Sequence, residues 1–460
     1  MFKYWQNSGR GEKRAEKPVF RCFALLMSSF VFVACSKPLK TETPKTNDIG
    51  VSNEQKPNVV WVISDDQAFG DFGFMGHPIV KTPNIDKLAS QSLLYKNGYV
   101  PTSLCRASLM TLLTGKYTYQ HKITFNDPPN KDRQARRVAD KFLAQDYSVA
   151  RLLSTAGYKS LQTGKFWEGN YKNGGFTHGM TTGVRHGDEG LQIGRKTMQP
   201  IVDFIDAAGD DPFFIWYAPY LPHEPHNAEE KYQAIYSDMG LHHKVQRYYA
   251  NITWFDDTVG ELMKILEQKG QAENTIIMFI VDNGWSPIID APYWTDYQGR
   301  KLKFHDRSKS TPYENGLRTP VFVWWPDKIK PQAHVDFVSA IDFLPTTLKI
   351  AGVKTPEDLP GLDIVTPKLA GRALNRDAVY GSLYYHDAVE LGNSVANLTH
   401  RWVREGDWKL IVNEIENTRE LYNLKHDPLE QENKAELENR FSAKINHLEN
   451  KLNKWWNPRR

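Results

Sequence analysis

Asn58-Val59-Val60-Trp61-Val62-Ile63-Ser64 is a nearly continuous apolar run of strand length, and two acids, Asp65 and Asp66, follow it directly. A run without polar alternation indicates a strand that is buried on both faces, as in the centre of a parallel sheet. In open α/β sheets the carboxyl ends of such strands border the binding crevice. This stretch therefore predicts a central strand, with Asp65 and Asp66 at the mouth of a site.

A second unit of the same kind lies further along the chain. Apolar residues recur at helical spacing from Val245 to Gln268, and the apolar strand Thr275 to Val281 follows. Helices that alternate with apolar strands predict an α/β fold with one large, doubly wound, mostly parallel sheet. We assign residues 57–377 to this first domain.

The character of the sequence changes near Ala378. Residues 380–385, 401–405 and 408–412 alternate in polarity as antiparallel strands do, and residues 434–456 form a charged amphipathic pattern typical of a helix. We therefore expect residues 378–460 to form a smaller C-terminal subdomain, an antiparallel sheet plus a helix, packed on the first.

Two predicted strand ends carry oxygen-rich side chains, Asp65-Asp66 after the first and Asp282-Asn283 after the second. Three carboxylates that converge repel one another, and a divalent cation would neutralise them. Ligands of oxygen alone suit Ca²⁺ or Mg²⁺ better than Zn²⁺. The alternative is that these are ordinary turn residues, since Asp-Asn-Gly is common turn chemistry.

A short helix is predicted to begin at Cys105 and to end at Gly115, which suits a left-handed stop. A thiol in the first helical turn lies at the positive end of the helix dipole. That position lowers its pKa and favours a bound anion, as a nucleophile facing a negatively charged ester requires. The alternative is a buried structural cysteine.

The first 34 residues read as an export signal, in which a basic stretch is followed by the apolar run 23–34. Val33-Ala34-Cys35 resembles a bacterial lipoprotein cleavage box, so Cys35 is expected to carry lipid and residues 35–56 to form a tether. The protein is then a membrane-anchored lipoprotein of the bacterial cell envelope, with the membrane contacted only through the lipid. The alternative is a simple secretory signal and a soluble periplasmic or secreted protein.

Charge and cysteine usage narrow the class of protein. Without residues 1–34 the acidic and basic residues are equal in number, which gives no electrostatic reason to expect a nucleic-acid partner. The three cysteines are Cys22, in the signal, Cys35 and Cys105. Export and lipidation leave Cys105 as the remaining thiol, without an internal disulfide partner. A solitary exported thiol is a liability unless it is buried or chemically used.

Several spaced motifs accompany Cys105. In chain order they are Asp65-Asp66, Cys105-x-Ala107-Ser108 with Leu113-Thr114-Gly115, Gly164-Lys165, Pro222-His223, Asp282-Asn283, and Lys309 with Tyr313-Glu314-x-Gly316. This set, in this order, resembles the formylglycine-dependent (type I) sulfatases. The resemblance covers roughly residues 57 to 432.

The resemblance implies an alkaline-phosphatase-like fold in which a maturation enzyme oxidises Cys105 to formylglycine. It implies Ca²⁺, rather than Mg²⁺, bound by the modified residue 105 together with the four oxygen-bearing side chains Asp65, Asp66, Asp282 and Asn283. Lys165 and Lys309 would neutralise the sulfate oxygens. His223 would bind sulfate or protonate the leaving alcohol.

Two positions depart from the family pattern. Leu109 stands where the family has Arg four residues after the cysteine, and Trp167 stands where it has His two residues after the lysine. We expect Arg106 or Glu168 to supply part of the missing chemistry. These two residues, with Arg307 and His386, are the predicted substrate contacts.

The sequence thus predicts a sulfuric ester hydrolase that acts on sulfated polysaccharide fragments. A phosphonate monoester or phosphodiester hydrolase on the same scaffold is a second interpretation, because tetrahedral sulfate and phosphate esters need similar clamps. A third, which rests on Leu109 and Trp167, is a lipoprotein that binds sulfated glycan without catalysis.

Overall fold

The computed structural model describes residues 56–286, 293–297, 300–304 and 307–459. The predicted export signal at 1–34, the predicted lipid site at Cys35 and all of the tether except its last residue lie outside the described residues. None of the helices in the described ranges is both long and apolar enough to cross a membrane.

Strands and helices follow one another along most of the described chain. The strands in chain order are β1 (Asn58–Ser64), β2 (Leu93–Tyr99), β3 (Lys159–Gly164), β4 (His178–Gly179), β5 (Phe213–Ala218), β6 (Thr275–Val281), β7 (Tyr293–Tyr297), β8 (Arg300–Phe304), β9 (Arg318–Trp324), β10 (Gln332–Ser339), β11 (Ala378–Tyr384), β12 (Leu398–Glu405), β13 (Trp408–Asn413) and β14 (Thr418–Asn423). The α-helices are α1 (Pro83–Ser90), α2 (Cys105–Thr114), α3 (Thr118–His121), α4 (Arg133–Ala144), α5 (Val149–Ser154), α6 (Gln199–Ala208), α7 (Glu230–Gln233), α8 (His243–Gln268), α9 (Glu314–Leu317), α10 (Phe343–Ile350), α11 (Thr366–Leu369), α12 (Ser394–Asn397) and α13 (Glu438–Trp455).

Strand β1 lies inside an eight-stranded sheet whose order is β10-β2-β9-β6-β1-β5-β3-β4. β1 pairs in parallel with both β5 and β6. β9 is the exception in this sheet, since it runs antiparallel to β2 and to β6. The large, mostly parallel sheet predicted from the sequence is confirmed.

Helices cover both faces of the sheet. Successive side chains of β1 point to opposite faces, so they show what packs on each. Trp61 packs on one face with helices α2, α5 and α10, and its ring meets those of Phe214 and Phe343 edge-on at 5.2 and 5.4 Å. Val60 and Val62 pack on the other face with α1, α6 and α8. Helices on both faces of a mostly parallel sheet form the doubly wound architecture.

The C-terminal residues add the predicted second sheet, an antiparallel one of order β11-β12-β13-β14. Val403 and Leu410 on one face of it pack against Leu448 of α13. The other face joins the core of the main sheet through Val379 and Trp402. The described residues from 56 onward therefore belong to one compact unit.

Candidate active site

The ends of β1 and β6 lie side by side, because the parallel register pairs Ser64 with Val281. The next residues of both strands therefore leave the sheet at one edge. The main-chain N–H of Asp66 donates to Oδ1 of Asp282 at 3.0 Å. The hydroxyl of Ser108 donates to the carbonyl oxygen of Asp282 at 2.6 Å, which ties α2 to the same edge. The two acidic strand ends that the sequence predicted are brought together.

Asp66 is the centre of the cluster. Its backbone is left-handed, with a φ of 61°, and its side chain is buried. Its Oδ1 accepts a hydrogen bond of 2.6 Å from the Asn283 amide and lies 3.5 Å from Sγ of Cys105. Cys105 is thus placed among the oxygen donors, as the sequence predicted.

Cys105 begins helix α2, and Gly115, with a φ of 67°, ends it. The prediction that the helix start lowers the pKa of the thiol is wrong. Burial, and secondarily the charge of Asp66, raises the pKa of Cys105 to about 12. The unmodified thiol is therefore protonated and a poor nucleophile at neutral pH.

Two lysines bring positive charge to the carboxylates. Nζ of Lys165 lies 2.6 Å from Oδ1 of Asp65 and 3.8 Å from Oδ2 of Asp282. Nζ of Lys309 donates to Asp66. Burial acts to raise the pKa of Asp66, but Lys309 and other neighbouring positive charges outweigh it and hold that pKa below its ordinary value.

The turns that carry these lysines are fixed by main-chain contacts. Gly164 has a φ of 74°, and a Cβ there would lie 1.8 Å from the carbonyl oxygen of Ala218, so the chain needs glycine before Lys165. After Lys309, the N–H of Ser310 donates to the carbonyl of Ser103 at 3.0 Å. The Lys309 loop is thereby joined to the segment that leads into Cys105.

His223 faces the same cluster. Its Nδ1 lies 2.6 Å from the carbonyl oxygen of Glu224 and donates to it, which leaves Nε2 pointing at Oδ2 of Asp66, 3.4 Å away. Burial lowers the pKa of His223 to about 3, and the charges of Lys165 and Lys309 act in the same direction. The ring is neutral at physiological pH when the site holds no anion.

The donor set fits a divalent cation. Three buried side-chain oxygens, Oδ2 of Asp65, Oδ2 of Asp282 and Oδ1 of Asn283, have no hydrogen-bond partner among the described residues. Ligand atoms of Asp65, Asp66, Cys105 and His223 lie within 4.8 Å of one another. Burial raises the pKa of Asp65 and of Asp282, so the negative charges of these carboxylates are unfavourable in the pocket without a cation. A hard cation would satisfy both the oxygens and the charge.

Arg106 and Glu168 are buried and contact each other. Nε and Nη2 of Arg106 donate to the two oxygens of Glu168 at 2.8 and 2.7 Å, and Nη2 also donates to Asp140 at 3.0 Å. The neighbour of the cysteine is thus part of an internal ion pair. The predicted contact of Arg106 and Glu168 with substrate stays a prediction.

The other two predicted substrate contacts also have protein partners. Arg307 donates to the carbonyl of Glu430 and lies 4.4 Å above the ring of Tyr313. His386 is exposed and its Nδ1 lies 2.6 Å from Oδ1 of Asp387. Both remain predictions.

Arg185 and His186 lie near the site and were not predicted from the sequence. The ring of His186 lies 5.8 Å from that of His223 and 4.3 Å from that of Trp167, and the Arg185 guanidinium lies 4.7 Å from the Trp167 ring. Trp167, which departs from the family pattern, is thus part of this group. In the sequence, the local sign that these two residues could belong to a site is a short polar segment beside Gly187.

The comparisons with known proteins agree with this geometry. The family model described as Sulfatase matches residues 57–353. The chain belongs to the sulfatase family. A second model, described as N-sulphoglucosamine sulphohydrolase, C-terminal, matches residues 303–457. The resemblance seen in the sequence is confirmed, and this sulfatase is a sulfuric ester hydrolase.

Named relatives cover most of the chain. It is 27% identical to the N-acetylgalactosamine-6-sulfatase of Rattus norvegicus over 82% of this chain and 78% of the relative. It is 24% identical to the ulvan-active sulfatase of Formosa agariphila over 74% of this chain and 69% of the relative. The solved structure of BT4656 in complex with its substrate D-glucosamine-2-N,6-O-disulfate matches with a TM-score of 0.65 at 19% identity, over 87% of this chain and 97% of that one. The fold is alkaline-phosphatase-like, as predicted.

Proposed function

We propose that this sulfatase removes sulfate from sulfated carbohydrate, using a formylglycine made from Cys105 beside a bound Ca²⁺. The observation that carries the proposal is the set of three buried oxygens without hydrogen-bond partners among the described residues, on Asp65, Asp282 and Asn283, in the cluster where Cys105 contacts Asp66. The carbohydrate class is supported by the relatives, two of which are named for sulfated sugars or a sulfated polysaccharide.

Conversion of Cys105 is supported by the chemistry of the thiol. A buried thiol with a pKa of about 12 does not supply a thiolate at neutral pH. A hydrated aldehyde at residue 105 would supply the attacking hydroxyl and a second hydroxyl for release of sulfate, and a bound Ca²⁺ would favour ionisation of the attacking hydroxyl. A formylglycine-generating maturation enzyme is therefore a required partner.

The residues of the chain hold the ester for this attack. The positive charges of Lys165 and Lys309 both act on Cys105, so these lysines would bind non-bridging sulfate oxygens and stabilise the charge that develops there. Lys165 is buried, which strengthens its electrostatic effect because water does not screen it.

His223 would donate the proton that the leaving alcohol oxygen needs. Its Nδ1 donates to the Glu224 carbonyl, so Nε2 is the nitrogen that faces the cluster. A bound sulfate ester brings negative charge beside the ring and favours the protonated form. The proton on Nε2 would then pass to the leaving alcohol oxygen.

Ca²⁺ is proposed over Mg²⁺ because the candidate donors are carboxylate and amide oxygens on two separate strand ends. Ca²⁺ accepts irregular oxygen shells, whereas Mg²⁺ requires a near-ideal octahedron. The cation would be held by Asp65, Asp66, Asp282 and Asn283 with residue 105.

We also propose that the protein is exported and anchored to the bacterial cell envelope through lipid on Cys35. The support is the basic, then apolar, sequence of residues 1–34 and the Val33-Ala34-Cys35 box. Metabolic labelling with a fatty acid tests this proposal. Label in the wild-type protein and none in Cys35→Ser is expected, whereas equal label in both contradicts it.

The function is tested by measuring sulfate release from a panel of sulfated oligosaccharides by the matured enzyme. Cys105→Ser, made in a host that does not convert serine, is the matched control. We expect release by the wild type and none by the variant. Faster turnover of aryl phosphonate than of aryl sulfate esters would favour the phosphonate hydrolase instead, and ligand binding without release would favour a non-catalytic binder.

A further inference from the structure

Arg185 is held in one orientation beside the site. Its Nε and Nη2 donate to the two oxygens of Asp127 at 2.9 and 2.7 Å, and its Nη1 donates to Nε2 of His186 at 2.6 Å. Its planar group lies 4.7 Å from the ring of Trp167. Such an arginine is pre-organised, so little side-chain entropy would be lost when it binds a ligand.

The guanidinium is not saturated by these partners. An arginine has five N–H donors, and the contacts above use three. The side chain is 36% exposed, so the remaining donors can reach a ligand. Asp127 also binds Arg136 at 3.0 Å, so this one carboxylate is shared by two guanidinium groups. A carboxylate oxygen of Asp387 lies within 4.8 Å of one of Asp127, so two carboxylates and two guanidinium groups meet here. The capacity of Arg185 to bind a ligand therefore lies in its remaining N–H donors.

His186 connects Arg185 to the catalytic cluster. Its Nδ1 lies 3.3 Å from the hydroxyl of Tyr220, and its ring lies 5.8 Å from that of His223. Its carbonyl accepts the N–H of Phe166, the residue after Lys165, at 2.9 Å. The ring of His186 thus lies between the Arg185 side chain and the ring of His223, which faces Asp66.

The loop that carries both residues is rigid and strained. His186, Gly187 and Asp188 all have positive φ values, of 71°, 125° and 35°. The carboxylate of Asp188 holds the turn, since it accepts N–H groups from residues 182–184 at 3.0 to 3.2 Å. Strain of this kind persists where the surroundings fix it, and it is concentrated at functional sites.

A buried donor in the same group also lacks an acceptor. The indole N–H of Trp167 has no hydrogen-bond partner within the described ranges, although the residue is 95% buried. A buried donor without an acceptor is unfavourable, and an oxygen of a ligand or of water would satisfy it.

We propose that Arg185, oriented by His186 and Trp167, is a specificity-determining residue that binds a second anionic group on the substrate. That group is an oxyanion, either a carboxylate or a second sulfate, carried by the sugar whose sulfate ester enters the cluster or by its neighbour. The inference rests on the proposed function and makes it narrower: the preferred substrates are multiply anionic sugars.

The test uses three sugars that differ in the second anion. They are N-acetylglucosamine-6-sulfate, D-glucosamine-2-N,6-O-disulfate, and a disaccharide of glucuronate and N-acetylglucosamine-6-sulfate. Sulfate release by the matured full-length enzyme gives kcat/KM. Calorimetric binding to the Cys105→Ser chain, with Ca²⁺ present, gives a readout that does not need turnover. Both are measured with and without Arg185→Gln, and Arg137→Gln on the exposed side of α4 is the control for loss of one positive charge.

The wild type is expected to prefer at least one doubly anionic sugar, and Arg185→Gln to remove that preference with a loss of about tenfold or more. A loss confined to the disulfate identifies a second sulfate, and one confined to the disaccharide identifies a carboxylate. Absence of any preference in the wild type, or an equal loss on all three sugars, overturns the proposal. Binding without sulfate release from any sugar contradicts the proposed function instead.

Discussion

The main-chain N–H of Asp66 donates a hydrogen bond of 3.0 Å to Oδ1 of Asp282, although 216 positions separate the two residues in the sequence. The bond exists because β1 and β6 are neighbours in parallel register and end together. Oδ2 of Asp282 has no hydrogen-bond partner among the described residues and lies 3.8 Å from Nζ of Lys165, the lysine that also contacts Asp65. One carboxylate thus fixes the backbone of a second acidic residue, and its other oxygen would be open to the proposed cation.

Asp282→Asn separates these two tasks. The amide oxygen still accepts the N–H of Asp66, but one negative charge is lost. We expect Ca²⁺ to raise the melting temperature of the wild type. At a Ca²⁺ concentration of 100 times the Kd, binding stabilises the folded state by about 2.7 kcal/mol. The variant should lose most of this increase. Calorimetry with Ca²⁺ and with chelator measures it. Asp210→Asn, at an exposed position, should respond like the wild type. An unchanged response in Asp282→Asn would contradict the assigned ligand.

Lys309→Gln should act mainly on catalysis. The variant removes a charge that faces Asp66 and the proposed sulfate position. Loss of one such group typically lowers the rate about 10²- to 10³-fold. Steady-state kinetics on a sulfated sugar, with Lys330→Gln at an exposed position as control, measures the effect. A decrease no larger than that of the control would exclude Lys309 from sulfate binding.

Glu314→Gln should destabilise the joint between the two sheets. The buried carboxylate of Glu314 accepts from Tyr99 at 2.7 Å and pairs with Arg404 at 3.0 Å and Lys409 at 3.1 Å. Lys409 keeps Glu430 as a partner at 2.9 Å, but an amide leaves buried Arg404 without this carboxylate, which costs about 3–5 kcal/mol. Urea unfolding measures the loss. Glu416→Gln, on an exposed turn, is the control, and equal stability of the two variants would count against the network.

His121 should make stability depend on pH. Its Nδ1 accepts the N–H of Ile123 at 3.2 Å and its Nε2 lies 3.1 Å from the Thr111 hydroxyl, so the neutral ring fits and a proton on Nδ1 does not. Burial lowers the pKa of His121 from 6.5 to about 3. The unfolded chain therefore binds the proton first as pH falls, and the stability present above pH 6.5 is lost progressively toward pH 3.

The check on this prediction is His121→Asn, which keeps an acceptor for Ile123 but does not titrate. Melting temperatures between about pH 3 and pH 7 should fall less steeply in this variant than in the wild type. His243→Asn, at the exposed start of α8, should follow the wild-type curve. Identical slopes in His121→Asn and the wild type would refute the assignment.

The central strands could be predicted from the sequence because they are buried on both faces and therefore form continuous apolar runs. β1 and β6 have the predicted bounds, and the acids that follow each are adjacent as expected. β2 and β10 were not predicted, because their runs include exposed polar residues that break the apolar pattern. Pairing between distant segments, rather than local composition, makes these two segments strands.

Parts of the site depend on packing that local patterns do not encode. The helix start at Cys105 was predicted, but the predicted direction of the thiol's pKa shift was wrong, because burial and the charge of Asp66 raise that pKa. Arg185 and His186 reach the cluster through a loop with three consecutive positive φ values. This conformation depends on the hydrogen bonds of Asp188 within the loop and on the bond from the N–H of Phe166 to the carbonyl of His186, and no periodic pattern in the sequence indicates either.

Residue 105 is proposed to function as an aldehyde among the oxygen donors, and every step of the proposed catalysis depends on this. The most direct measurement is the mass of the peptide that contains residue 105, from protein made by the organism that encodes it. We predict the mass of formylglycine, with an aldehyde in place of the thiol of Cys105. A peptide that carries only the unmodified cysteine, in protein that nevertheless releases sulfate, would contradict the proposal.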